Sequence, residues 1–215
     1  HHMSNDERTK FKSVLEKHKI QLDGKFGLYP HEKLKLKLKP DAVPVHKKAY
    51  PVLFKRQPVF KEELEHLVRE KKLRKCGATT WALSMFITQK KADKEGNNRV
   101  RWVSDFRELD KVLERAESPI PRIQDIMLKH QGYKYFTKID LTMMFYCYEL
   151  DEASKELCTI ITPFGKYQYN HLPMGVKVCP DIAQSMIMKI LEELDIAAYI
   201  NFDVKFFQDF HYHRL

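Results

Sequence analysis

The chain has 215 residues, of which 43% are hydrophobic and 31% charged, with Lys+Arg 38 against Asp+Glu 29 for a formal net charge of +9. That apolar content is enough for a packed core and too high for a disordered tail. The length suits one domain or two small subdomains, at roughly 100–200 residues each. No apolar run approaches the ~18 residues of a membrane span, and no secretory h-region opens the chain. The four cysteines, Cys76, Cys147, Cys158 and Cys179, stand apart without a Cys-x-x-Cys pair, so neither a zinc ribbon nor a disulfide framework is indicated. Reduced thiols and an intracellular location, cytoplasm or nucleus, are the expectation.

Charge is uneven: residues 1–115 carry 28 of the Lys+Arg and 16 of the Asp+Glu. A basic first half suits a polyanion, with nucleic acid foremost, although a solvated lysine-rich face has the same composition.

His1-His2-Met3 reads as a tag remnant or as the cut end of a longer chain. Residues 4–25 are polar and helix-prone. Residues 26–57 carry Pro30, Pro40, Pro44 and Pro51 and read as an extended arm with short strands. Pro58 opens a helix expected to run to about Lys75, with Phe60, Leu64, Leu67 and Val68 on one face. Trp81 to Lys90 and Val100 to Val103 read as strands of a basic hairpin around a charged loop. Pro119 to Lys129 is expected as a second helix, and Tyr135 to Leu141 and Tyr146 to Leu150 as strands. Thr159 to Thr162 and Lys166 to Leu172 form two more strands around Pro163-Phe164-Gly165. Asp181 to Leu194 repeats apolar residues every four as a third helix. Ala197 to Ile200 and Val204 to Phe207 flank a tight turn. The pattern is α+β.

Asp140 ends an apolar strand, Tyr135-Phe136-Thr137-Lys138-Ile139, where a carboxylate on a rigid sheet suits a metal ligand and equally suits a turn. The surrounding motifs add to this. Arg101-Trp102-Val103-Ser104-Asp105-Phe106-Arg107-Glu108-Leu109-Asp110-Lys111 resembles the fingers motif of reverse transcriptases. So do Pro119-Ile120-Pro121-Arg122-Ile123-Gln124-Asp125-Ile126, the Asp140 strand, Thr162-Pro163-Phe164-Gly165-Lys166-Tyr167-Gln168-Tyr169, and Leu172-Pro173-Met174-Gly175 followed by Pro180 and Gln184. The motifs keep the family's order over residues 26–215, and the likeness is greatest to polymerases of gypsy-type LTR retrotransposons.

The resemblance implies polymerase fingers and palm subdomains, with an antiparallel palm sheet covered by helices on one face and no thumb. It implies a tail at 1–25, fingers at 26–115 and 148–178, and an incomplete palm at 116–147 and 179–215. The implied activity is RNA-directed DNA synthesis by two-metal nucleotidyl transfer, with Mg²⁺ or its substitute Mn²⁺. The implied partners are an RNA or DNA template with primer, deoxynucleoside triphosphates, and the thumb and RNase H parts of a polyprotein. Asp140 matches the first metal-binding aspartate, and the Leu141 carbonyl lies beside it. Lys90 and Arg101 match the fingers cations that grip the triphosphate. Phe145 matches the ring that excludes a 2′-OH, and Gly175 and Gln184 match positions near nucleotide and template. Asp105 and Arg107 are expected to support the fingers.

One motif departs from the family. Where it has Tyr-X-Asp-Asp, this chain reads Tyr199-Ile200-Asn201-Phe202-Asp203. Asn201 is a poor ligand for a hard cation and Phe202 is none. Asp203 would serve as a ligand only through a slip or bulge. The expectation is a weakened or dead metal site. A catalytically inactive remnant, or a module co-opted for nucleic-acid or protein binding, is the alternative. An RRM-like RNA-binding module lacks its Gly-Phe-Gly-Phe strand here.

Overall fold

A computed structural model describes residues 3–23, 27–89, 100–115, 122, 124, 128, 141 and 143–191. Helix α1, Asn5–Lys17, starts at a reciprocal cap in which the Ser4 hydroxyl accepts from the Glu7 N–H and the Glu7 carboxylate accepts from the Ser4 N–H. It buries no residue. The proline-rich arm then runs along the domain through isolated bridges, Leu34 to Leu150, Leu38 to Leu113 and His46 to Ala82. Leu34 and Leu36 plug the core from this arm.

Helix α2, Gln57–Arg69, has proline in its first turn and buries Phe60, Leu64 and Leu67 at spacings of four and three. It ends six residues before the expected Lys75. Lys71 takes a left-handed φ of 55°, and Leu73–Cys76 becomes strand β1. The lysine-rich stretch is locally compatible with helix. Burial of Leu73 and a four-residue ladder to β5 override that preference.

Strands β2, Leu83–Gln89, and β3, Val100–Ser104, pair antiparallel as expected. Two short helices were not anticipated: α3, Arg107–Val112, and α4, Glu152–Leu157. Between them, the expected strand at Tyr146 to Leu150 is instead a 3₁₀ turn, Met144–Cys147, entered through Met143 at φ 47°. Only Glu149 and Leu150 make bridges, to His171 and Leu34. Strands β4, Thr159–Thr162, and β5, Gly165–Tyr169, form the anticipated hairpin, its turn closed by Gly165 at φ 124°. Helix α5, Cys179–Leu191, corresponds to the third expected helix and begins two residues earlier. Of the second expected helix, Gln124 and Leu128 are helical and Arg122 is not; its other residues lie outside the described ones. The strands expected at Tyr135 to Leu141, Ala197 to Ile200 and Val204 to Phe207 also fall there, Leu141 excepted.

The sheet order is β1-β5-β4-β2-β3, antiparallel throughout except for a short parallel pairing of β2 with β4. Helix α2 packs on β1 and β3, α4 on β5, and α5 on the 3₁₀ turn. The core holds an aromatic cluster: Phe60 lies 5.2 Å from Trp102 and 5.6 Å from Phe164 between ring centroids. Tyr169 lies 6.0 Å from Phe106 and 6.4 Å from Tyr146. Full burial of each such ring contributes about 1.5–3 kcal/mol. The fold is thus α+β, as expected.

Candidate active site

Strand β3 puts residues of opposite character on its two faces. Arg101, opposite Thr88 in the ladder, is exposed. Trp102 and Ser104 turn inward to the Tyr169 hydroxyl, at 2.9 and 2.8 Å. The chain then bends at Asp105, whose N–H donates to the Ser84 carbonyl at 2.9 Å.

The Arg107 guanidinium forks onto the Asp105 carboxylate, with Nε 2.8 Å from Oδ1 and Nη2 2.7 Å from Oδ2. The Tyr50 hydroxyl donates to Oδ2 at 3.2 Å. These bonds, Arg107's first, hold the Asp105 carboxyl down to about 2. The corner lines a cavity of about 260 Å³ with Lys47, Lys48, Tyr50, Ser84 and Glu108. Beside it the half-exposed Phe86 ring meets Tyr50 edge-on at 6.1 Å.

Gly175 sits against this corner. Its φ is +100°, and a Cβ there would lie 3.7 Å from the Phe106 ring and 3.8 Å from the Ser104 carbonyl oxygen. The turn also receives the Cys179 Sγ, 3.1 Å from the Pro173 carbonyl oxygen, and burial pushes that thiol up to about 12. Gln184 on α5 is 1% exposed, and its Oε1 has no hydrogen-bond partner among the described residues. Phe145, in the 3₁₀ turn, packs against the core. Leu141 is exposed.

The structure therefore brings Gly175 to the end of the strand that carries Arg101. It also sets the helix of Gln184 against the turn of Phe145. Lys90, Asp140, Asn201 and Asp203 lie outside the described residues. Among the described residues no group of three or more His, Cys, Asp or Glu side chains could hold a metal ion. No helix among them is long and apolar enough to cross a membrane.

Sequence reasoning missed two features. Asp181, 3% exposed in the first turn of α5, takes a fork from Arg115, with Nε 2.7 Å from Oδ2 and Nη2 3.3 Å from Oδ1. The half-buried Asp110 carboxylate accepts from the Lys177 N–H at 2.8 Å. Burial pushes the Asp110 carboxyl above its ordinary value. Both contacts fix the loop around Gly175 and the start of α5. The only sequence signal was an acid in the first turn of a helix.

A family model described as "Reverse transcriptase (RNA-dependent DNA polymerase)" matches residues 89–210. The chain belongs to the reverse transcriptase family. That match includes the stretch carrying Asp140 and the altered Tyr199–Asp203 motif. The Pol polyprotein of Drosophila melanogaster transposon 412 is 29% identical over 155 residues, covering 72% of this chain and 12% of that protein. The Pol polyprotein of transposon gypsy from the same species is 28% identical over 153 residues, 71% of this chain and 15% of that protein. This reverse transcriptase thus spans a small part of the curated relatives it matches. In fold it is similar to the native prototype foamy virus protease–reverse transcriptase, with a TM-score of 0.77 and 20% identity, over 92% of this chain and 26% of that one. A foamy viral protease–reverse transcriptase in complex with an RNA/DNA hybrid gives a TM-score of 0.76 and 16% identity, over 93% and 26%. The reverse transcriptase family expected from the motifs, with gypsy-type relatives, is thereby borne out.

Proposed function

We propose that this chain is the fingers and palm portion of an RNA-directed DNA polymerase from a retrotransposon polyprotein, impaired in nucleotidyl transfer but competent to bind template–primer and deoxynucleoside triphosphates. We assign residues 26–115 and 148–178 to fingers, 116–147 and 179–215 to palm, and 1–25 to a tail. Four free cysteines fit a reducing compartment, cytoplasm or nucleus.

Binding is supported by the charge of the first half and by the corner around Asp105. There Lys47, Lys48 and Arg107 stand beside the half-exposed Phe86 ring, a combination suited to phosphates and base faces. Arg101 on its exposed strand face offers a guanidinium fork to a triphosphate, and Lys90 a second cation. Phe145 would meet the sugar, with Gly175 and Gln184 behind the nucleotide.

The observation that carries the impairment is the donor set. Two divalent ions, Mg²⁺ or Mn²⁺, need several carboxylate oxygens. The chain supplies Asp140, then an amide at Asn201 and a phenyl ring at Phe202, with Asp203 one position beyond the motif. These residues do not fit a two-ion site. The same observation favours a second reading, a catalytically inactive, co-opted nucleic-acid or protein-binding module.

The test is DNA-primer extension on an RNA template in Mg²⁺ and in Mn²⁺, comparing this chain with Asn201→Asp/Phe202→Asp. No extension by the original and extension by the repaired chain is expected. Extension by the original overturns the impairment. Silence from both, with template–primer still bound in a gel-shift assay, favours the binding module.

A further inference from the structure

The hairpin that carries Arg101 is tied to its sheet by very little backbone. Strand β2 pairs with β4 only at Leu83 to Ile160 and Ser84 to Ile161. Its pairing with β3 begins at Met85 and runs outward to Gln89. Ser84 alone does both, its carbonyl accepting from the Asp105 N–H just past β3, so most of the β2–β3 ribbon projects beyond the ladder. A two-stranded ribbon is marginal without side-chain support.

Part of that support comes from helix α2, whose Phe60 packs on Trp102, and part from a strand that is not its neighbour. Tyr169 on β5 is separated from β3 by both β4 and β2 in the sheet order, is 1% exposed, and reaches β3 directly. Its hydroxyl accepts the Trp102 Nε1–H at 2.9 Å and lies 2.8 Å from the Ser104 Oγ. The Tyr146 ring stacks on that of Tyr169, 6.4 Å between centroids. Either hydroxyl can donate in the bond between Ser104 and Tyr169. Trp102 adjoins Arg101, and Tyr146 adjoins Phe145. One buried side chain therefore joins the neighbours of the two residues read above as the triphosphate grip and the sugar gate.

We propose that Tyr169 is a positioning residue: its hydroxyl holds the fingers hairpin while its ring stacks on the 3₁₀ turn, and so it sets the span between Arg101 and Phe145. The proposal rests on the nucleotide-binding reading of those two residues. A deoxynucleotide held at both ends requires that span. Without the hydroxyl, the Trp102 indole N–H loses a buried partner and the ribbon is held less tightly.

The test uses the full chain and calorimetric titration with deoxyadenosine triphosphate and, separately, adenosine triphosphate. Arg101→Ala is expected to weaken both about tenfold. Tyr169→Phe, which keeps the ring, is expected to weaken the deoxynucleotide about tenfold and to narrow the deoxy-to-ribo preference, a ratio that general loss of stability would not move. Amide exchange should quicken at Val100–Ser104 and stay unchanged at Leu73–Cys76. Ser104→Ala, a milder cut in the same network, should show the same signs at about threefold. If Tyr169→Phe and Ser104→Ala both match the parent while Arg101→Ala binds weakly, the positioning role is wrong and the nucleotide reading stands. If Arg101→Ala also matches the parent, the nucleotide reading itself fails and the proposal falls with it.

Discussion

His171 should make this protein lose stability on mild acidification. The residue bridges Glu149 in backbone pairing, and its Nδ1 is buried without a hydrogen-bond partner among the described residues. Burial first, then the charge of Lys72, pulls its pKa down from 6.5 to about 4; Lys155 acts in the same direction and Glu149 opposes them. The folded ring stays neutral where the unfolded one takes a proton. Stability is therefore complete above about pH 6.5 and is withdrawn as pH falls toward 4. At 1.36 kcal/mol per unit the unscreened ceiling is about 3 kcal/mol. The ring is only half-buried, and solvent screening halves that to about 1.5 kcal/mol. Urea unfolding followed by circular dichroism, from about pH 7 to about pH 4.5, should be run on the parent and on His171→Gln. Carboxylates titrate alike in both chains and cancel in the difference. The parent's stability relative to the variant should fall by about 1.5 kcal/mol across that range. A difference that stays flat to within about 0.3 kcal/mol would refute the reasoning.

Asp181→Ala should cost about 2 kcal/mol in urea unfolding, because a buried carboxylate pair is broken while the half-exposed Arg115 can still turn to water. Glu108→Ala, which cuts solvent-screened pairs to Lys111 and Lys47, should leave the urea midpoint close to the parent's. Equal losses from the two would contradict this assignment. Gly175→Ala should cost about 1–2 kcal/mol from its +100° φ alone, since the added Cβ meets ordinary contact distances. Gly77→Ala, with nothing within 4 Å and no positive φ, should be near neutral by the same measurement.

What the sequence made legible was local. The α2 face, the β2–β3 ribbon, the β4–β5 hairpin and α5 each announced themselves by periodicity or by a turn motif. Strand β1 did not, because its helix-compatible lysines yield to a partner strand that periodicity cannot reveal. Helices α3 and α4 were missed because six-residue elements carry less than two turns of pattern. The latter is fixed by Asp151, whose side chain accepts the Ser154 N–H at 2.8 Å, and by the burial of Ser154 and Lys155. The site shows the same division. Arg101, Phe145, Gly175 and Gln184 stand in motifs, whereas the Arg115–Asp181 fork and the Trp102–Tyr169 bond join residues 66 and 67 positions apart. Neither partner announces the other in a single sequence.

The crossed order of the sheet also constrains how the chain is made. Arg74 on β1 bonds Gln168 on β5 across 94 residues, a long loop to close before any ladder contact is gained. During synthesis β1 emerges early and waits, with Leu73 uncovered, until the β4–β5 hairpin has left the ribosome. The β2–β3 ribbon folds locally in the meantime but has no sheet to join. A fragment ending after α3 would therefore hold two edges and no centre, and it should aggregate rather than fold. The sheet is not separable at that point: β1 and the β2–β3 ribbon are joined only through the later β4–β5 hairpin.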